Sequence, residues 1–459
     1  MAKEIVSSSF RDPSGFVYFK NGTLYRQINL SYAKDYDRLM NSGLYRKLTD
    51  IDYLIKHEEV KLADEIPGPA YKVIKPEVVP FVSYPYEWSF SQLKDAALLT
   101  LKIQKIALEH QMSLKDASAY NVFFVKGRPI LIDTLSFEIY EENKPWIAYR
   151  QFCQHFLASL SLMAKVDLRF GSLSAEYLDG LPLDLASHLL PFKTKFSLGL
   201  ASHIHLHAFD QVRYANKKPA KKNYRLSRNQ LMGIINNLEA TIKNLKIRSQ
   251  KTTWGNYYLE TNYTAVAKKE KAKIIKAWIK KIAPKTVWDV GANDGTFSRI
   301  ASEMKISTVA TDFDPLAIES AYLQAKERDD QLILPLVIDI TNPSPAIGWA
   351  NEERLSFLER AHFDLTLCLA LIHHLVIANN LPLSHIAETL QAHTKYLIIE
   401  FVPKNDSNTR RLLAHRKNIF SGYTQKNFEK EFSQFFELQK RERIRQSLRT
   451  LYLMKNKRN

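Results

Sequence analysis

The sequence predicts an α/β protein in two parts: a doubly wound sheet in the C-terminal half, preceded by an α+β domain. Three observations carry this. From residue 286 onward, short apolar runs alternate with helical patterns, giving strands at 286–290, 308–312, 332–339, 363–370 and 395–402, with two closing strands at 435–443 and 447–454. The first strand runs into Asp289-Val-Gly-Ala-Asn-Asp-Gly295 and a helix-compatible stretch at 296–304, the pattern of a buried strand, a tight turn and a helix start. Between residues 16 and 133, by contrast, strand-like runs pair across tight turns around one long helix, with no βαβ alternation.

Bulk properties bound the rest. A chain of 459 residues suggests two or three domains, and 45% hydrophobic residues suffice for sizeable cores. No apolar run reaches the ~18 residues of a membrane span, and the N-terminus lacks the apolar core of a signal peptide. Two distant cysteines, Cys153 and Cys368, argue against a disulfide framework or a zinc site. A cytoplasmic protein with no membrane partner is therefore expected. The net charge of +17 permits nucleic acid as a partner and is equally compatible with a basic solvated surface.

Along the N-terminal domain, residues 16–28 form two alternating runs joined by Asn21-Gly22, a hairpin signal. Helical spacing follows at 32–48, a proline-broken strand at 71–86, and a long amphipathic helix at 89–109. Next comes a loop with Asp116 and Asn121, a short strand, a Lys126-Gly127 turn and a second strand ending in Asp133. This order resembles the catalytic-loop region of the protein-kinase-like fold, on the spacing of Asp116, Asn121 and Asp133. The resemblance implies Asp116 as catalytic base, with Asn121 and Asp133 as Mg²⁺ ligands. The chain departs from the pattern: Leu114-Lys115 replaces His-Arg, Thr134-Leu135 replaces Phe-Gly, and the glycine-rich loop is missing. Arg26 is the one stand-in for the strand lysine, and without phosphate-gripping parts Asp116 and Asn121 read equally well as turn and cap residues. The histidines His155, His203, His205 and His207 match no metal-ligand spacing and are expected to pack or face solvent.

Residues 217–228 are basic and contain Pro219, which suggests a linker, followed by an amphipathic helix at 231–247. The domain limits read as 1–215, then a linker and helix at 216–253, then 254–459. An aromatic cluster at 254–263 precedes a lysine-rich helix at 265–282.

In the C-terminal domain acidic residues fall at strand ends. Asp289 closes the first strand, Asp312 the second and Asp339 the third. A carboxylate at Asp312 suits a ribose diol, and one at Asp339 suits an adenine amino group. With the glycine turn and the fourth-strand run 363–375, these residues resemble a class I S-adenosylmethionine-dependent methyltransferase. Taken whole, the chain is also similar to bacterial nodulation-related methyltransferases, on residues 114–138 and 400–406. The resemblance implies a Rossmann-like sheet binding S-adenosyl-L-methionine through Asp289, Gly291, Asn293, Gly295, Asp312, Asp339 and Leu369. It places the fourth-strand end against the reactive methyl group, where His373 and His374 are candidates for a base. The methyl acceptor is unknown, and the N-terminal domain is expected to recognise it or a partner. Working phosphotransfer and RNA binding stand as alternatives.

Overall fold

The computed structural model describes residues 4–61, 70–209, 225–247, 264–414 and 419–458. The chain forms two compact units, one of residues 1–250 with 346–355, the other of residues 251–345 and 356–459. The predicted linker at 217–228 falls largely, and the aromatic cluster wholly, outside the described residues.

In the first unit, Asn21 and Gly22 both take positive φ (52° and 74°). That is what a two-residue hairpin turn matching strand twist requires. The sheet holds β1 (Glu4–Ile5), β2 (Gly15–Lys20), β3 (Thr23–Asn29), β4 (His57–Glu59) and β5 (Ala70–Pro76) in the order β1-β2-β3-β5-β4. The helical run expected over 32–48 is broken into Ala33–Asn41 and Leu44–Asp50, because Gly43 turns left-handed at φ 79°. The long helix spans Phe90–Glu109, with Ser89 capping it by accepting the Gln92 amide. Its apolar stripe, Leu93, Ala97, Leu101 and Leu108, is buried. On the same buried side Gln104 donates to Ser113 Oγ (3.0 Å) and accepts the Leu114 amide (2.7 Å). This side chain thereby holds β6 (Met112–Leu114), the strand that leads into Asp116. The hairpin β7 (Val122–Val125) and β8 (Arg128–Leu131) comes next, and β9 (Phe137–Ile139) pairs back onto β6. The helix Arg228–Asn244 packs within this unit, its Glu239 paired with Lys105.

The second unit is a seven-stranded sheet. Its strands are β10 (Thr286–Val290), β11 (Ser307–Asp312), β12 (Ile333–Val337), β13 (Phe363–Cys368), β14 (Thr394–Phe401), β15 (Phe436–Arg443) and β16 (Thr450–Asn456). The order is β12-β11-β10-β13-β14-β16-β15. Strands β10 to β14 are parallel, while β16 runs antiparallel between β14 and β15. Near-continuous apolar sequence in β10, β13 and β14 reflects burial on both faces. Strand order reverses between β10 and β13, which opens a crevice at their carboxyl ends.

Replacing Gln104→Ala leaves the Leu114 amide without an acceptor in a buried site. The unfolding free energy in urea is expected to fall by about 1–3 kcal/mol.

Candidate active site

The glycine turn is tied to its neighbouring strand by hydrogen bonds. Both Gly291 and Ala292 donate their amides to Thr311 O (2.9 Å each). One carboxylate then organises the loops beyond the strands. Asp312, 7% exposed, accepts the Asn293 amide at Oδ2 (2.9 Å) and the Asp314 amide at Oδ1 (3.0 Å). Gly291 and Gly295 have φ of 72° and 75°, where a side chain is strained. A Cβ on Gly291 would also press on Leu371 at 3.3 Å, whereas one on Gly295 would meet nothing closer than 3.6 Å. At Gly295 the left-handed backbone conformation by itself restricts the residue to glycine. Asp289, at the foot of the turn, accepts Ser298 Oγ (2.6 Å).

These elements wall a cavity of about 300 Å³. Asp289, Gly291, Asn293, Asp312, Asp339 and Leu369 line it together, and Gly295 stands outside. Asp339 lies two residues beyond the end of β12, exposed, accepting both the amide (2.8 Å) and the hydroxyl (2.7 Å) of Thr341. It reaches the cavity from a turn and does not close the strand. Burial pushes the Asp289 and Asp312 carboxyls up to about 6.

At the end of β13 the chain turns sharply: Ala370 adopts φ 52°. The two histidines beyond this turn have different surroundings. His374 lines the cavity, whereas His373 is fully buried and neither ring nitrogen has a hydrogen-bond partner. Their rings lie 4.1 Å apart. Burial, then Arg449 and Arg411, lowers His374 to about 4, so its imidazole is neutral near neutral pH.

Sequence reasoning missed the opposite wall. Lys268 and Lys271, from the helix Ala265–Ile282, line the cavity with Phe297. Lys271 is 2% exposed, 2.6 Å from Glu400 Oε2, and its ammonium lies 4.4 Å from the Phe297 ring centroid. Arg449, also buried, binds Asp406 (2.8 Å) and stands 3.7 Å from Glu400. A signal was available: Ala267, Lys271, Ile274 and Trp278 form one helical stripe in which only the lysine is charged.

In the first unit the three residues of the proposed Mg²⁺ set are joined by protein partners. Asp133 is 2.6 Å from Arg26 and accepts Ser136 Oγ (2.9 Å), and Asn121 donates to that hydroxyl (3.2 Å). Asp116 accepts the Ser118 amide (2.9 Å) and Gln151 (2.8 Å), as a turn residue does. Arg26 thus meets the Asp133 charge that a metal ion would meet. Among the described residues no group of three or more histidines, cysteines or acids is placed to hold a metal. His203 binds Tyr149 and Asn237, His205 binds Ser187 and Thr194, and both cysteines are free and buried.

An S-adenosyl group fits this cavity. An ionised carboxylate has about four acceptor sites, so the backbone amides on Asp312 do not exhaust it. Phe313 and Ile338 give an apolar wall beside that carboxylate, and Gly291 keeps the loop free of side chain. Sheet order and turn together give a Rossmann-like fold: a doubly wound parallel sheet with one antiparallel strand inserted beside its edge, the fold expected from the resemblance to class I methyltransferases. No family model matches the sequence. Full-length similarity is nonetheless high: the chain belongs to the family of the nodulation protein NoeA of Rhizobium meliloti (strain 1021), to which it is 33% identical over 458 residues, covering 97% of this chain and 95% of that protein. Solved structures show weaker likeness. The N-methyltransferase NodS from Bradyrhizobium japonicum WM9 is 15% identical over 41% of this chain and 96% of its own, with a TM-score of 0.31. The magnesium protoporphyrin IX methyltransferase ChlM from Synechocystis PCC 6803, with bound SAH, is 14% identical over 44% and 92%, with a TM-score of 0.33. For the bifunctional kinase-methyltransferase WbdD the values are 18% over 41% and 39%, and 0.31.

Removing one partner of the Lys271–Glu400 pair takes the shortest ion pair from a buried charge, so Lys271→Met or Glu400→Leu alone is expected to cost about 3–5 kcal/mol. The double variant should recover much of that loss in a thermal melt, and additive costs would show that the two charges are not coupled.

Proposed function

We propose that the second unit transfers a methyl group to a small or macromolecular acceptor that the first unit recognises. The carrying observation is the convergence of Asp312, the glycine turn and His374 on one cavity. In this reading Asp312 accepts the ribose hydroxyls, Asp339 and the apolar wall at Phe313 and Ile338 receive the adenine, and Asp289 holds the glycine turn to its helix through Ser298. When bound, the sulfonium supplies an electrophilic methyl carbon. The protein's part is to align the acceptor and keep water out. His374 faces the cavity in the neutral form needed to take a proton from an acceptor hydroxyl or amine, at Nδ1 or Nε2. His373, walled off from the cavity, supports the turn that presents His374.

The phosphotransfer alternative keeps Asp116, Asn121 and Asp133 as neighbours, but the parts that would grip phosphate are weak. The β2–β3 turn has two residues, too short to cover phosphates, and Arg26 occupies Asp133. An RNA-binding role would rest on the basic stretch 217–228, of which only 225–228 are described.

Asp312→Ala is expected to weaken S-adenosylhomocysteine binding by about tenfold to a hundredfold, as measured by calorimetry. In the wild type, affinity should fall as pH drops through about 6, where Asp312 gains a proton and loses acceptor capacity. His374→Ala should lower kcat by about a hundredfold or more with little change in cofactor affinity, while His373→Ala should lower the melting temperature first. Unchanged turnover in His374→Ala would remove the histidine from proton transfer.

A further inference from the structure

Among the described residues, exposed apolar side chains cluster in one stretch of the first unit. Of the twenty-two large hydrophobic side chains that stand exposed among the described residues, six lie between Leu189 and Phe209. Three of them, Phe192, Phe196 and Leu198, are 70%, 78% and 84% exposed. Soluble proteins rarely leave neighbouring aromatic rings in water without a use for them. The rings of Phe192 and Phe196 meet edge to face at 5.7 Å, and Lys195 Nζ lies 5.2 Å from the Phe192 centroid.

The loop that carries them is built and held. Residues Phe192–Phe196 form a 3₁₀ turn after Pro191. Thr194, at its centre, is buried and donates to Pro191 O (2.7 Å). His205 clamps the turn from below, reaching Thr194 Oγ1 with Nε2 (2.9 Å) and Ser187 Oγ with Nδ1 (2.7 Å). Thr194 therefore points inward, while Phe192, Lys193, Lys195 and Phe196 point to solvent. Two rings flank two ammonium groups on this support.

Charge is as uneven as hydrophobicity. Between residues 186 and 238 there are nine lysines and arginines against one acid, Asp210. Roughly half of the +17 net charge thus falls in this stretch. Phenylalanine and leucine beside lysine is the composition of a segment that seats in the headgroup layer, with rings at the acyl boundary and ammonium groups among phosphates. Single hydrophobic contacts hold a membrane weakly, and stable attachment needs a second, electrostatic signal. Here both signals lie within one segment.

We propose that the 191–198 loop is a peripheral docking site for an anionic lipid surface, with Phe192, Phe196 and Leu198 entering the interface and Lys193 and Lys195 meeting the headgroups. The expectation of no membrane partner rested on the lack of a spanning segment. Among the described residues no helix is long and apolar enough to cross a membrane. Surface seating requires no such helix.

The test is co-sedimentation of the full chain with phosphatidylcholine vesicles and with vesicles in which phosphatidylglycerol replaces part of the lipid. Binding is expected to the anionic vesicles only, to weaken with salt, and to fall about tenfold or more in Phe192→Ser/Phe196→Ser. A Phe196→Trp variant should add an emission component that shifts to the blue on the same vesicles. S-adenosylhomocysteine affinity, read at a cavity whose lining includes none of these residues, serves as the check on the variants and separates this inference from the cofactor assignment. No binding to either vesicle, equal binding by the double-serine variant, or an unshifted added emission in Phe196→Trp would overturn the proposal. So would a double-serine variant whose main change is loss of self-association, which would assign the patch to a second copy of the chain.

Discussion

Two backbone amides, from Asn293 and Asp314, converge on the Asp312 carboxylate. The amides come from the loops after β10 and β11, so one side chain fixes two neighbouring strand ends at the crevice. Strand order alone makes an opening there. The carboxylate turns the opening into a shaped site, because it holds Asn293 in the left-handed region and so fixes the course of the glycine turn. Its own burial raises the cost of carrying charge, and the amides offset part of that cost.

A second ionic layer lies on the far side of the same cavity. Lys271, Glu400, Arg449 and Asp406 come from the helix before the sheet, the end of β14, the residue before β16 and the loop after β14. Buried charges of this kind add little net stability, since desolvation opposes their attraction. In this arrangement they join four segments: Lys271 meets Glu400, Glu400 stands beside Arg449, and Arg449 meets Asp406. Position rather than strength is what a cavity wall needs.

The second unit was largely legible because its strands are buried on both faces, so apolar runs stand out from the amphipathic helices between them. Its strand limits agree to within about three residues, the usual uncertainty at element ends. The position of Asp312 was readable from the spacing after the glycine turn. Asp339 and His373 were not separable from their neighbours, because sequence spacing gives an order along the chain and not the direction in which a side chain points after a turn such as that at Ala370. Lys271 was marked by its place on an otherwise apolar stripe, a signal that the many other lysines of the same helix masked. In the first unit Gly43 was passed over, and the helical period on either side of it concealed two helices.

Residues 346–355 lie in sequence between β12 and β13, yet they belong to the first unit. There Glu353 holds Arg11 through three short contacts, Arg354 covers the Tyr120 ring at 4.7 Å, and Ile347 packs on the cluster of Tyr84, Tyr86 and Tyr120. A polypeptide ended at residue 250 would lack these groups and would leave a tyrosine cluster uncovered. The first unit is therefore not a cassette that recombination can add, remove or exchange at a single junction. Inheritance of the two halves is coupled, which agrees with a similarity to NoeA that runs along 97% of the chain.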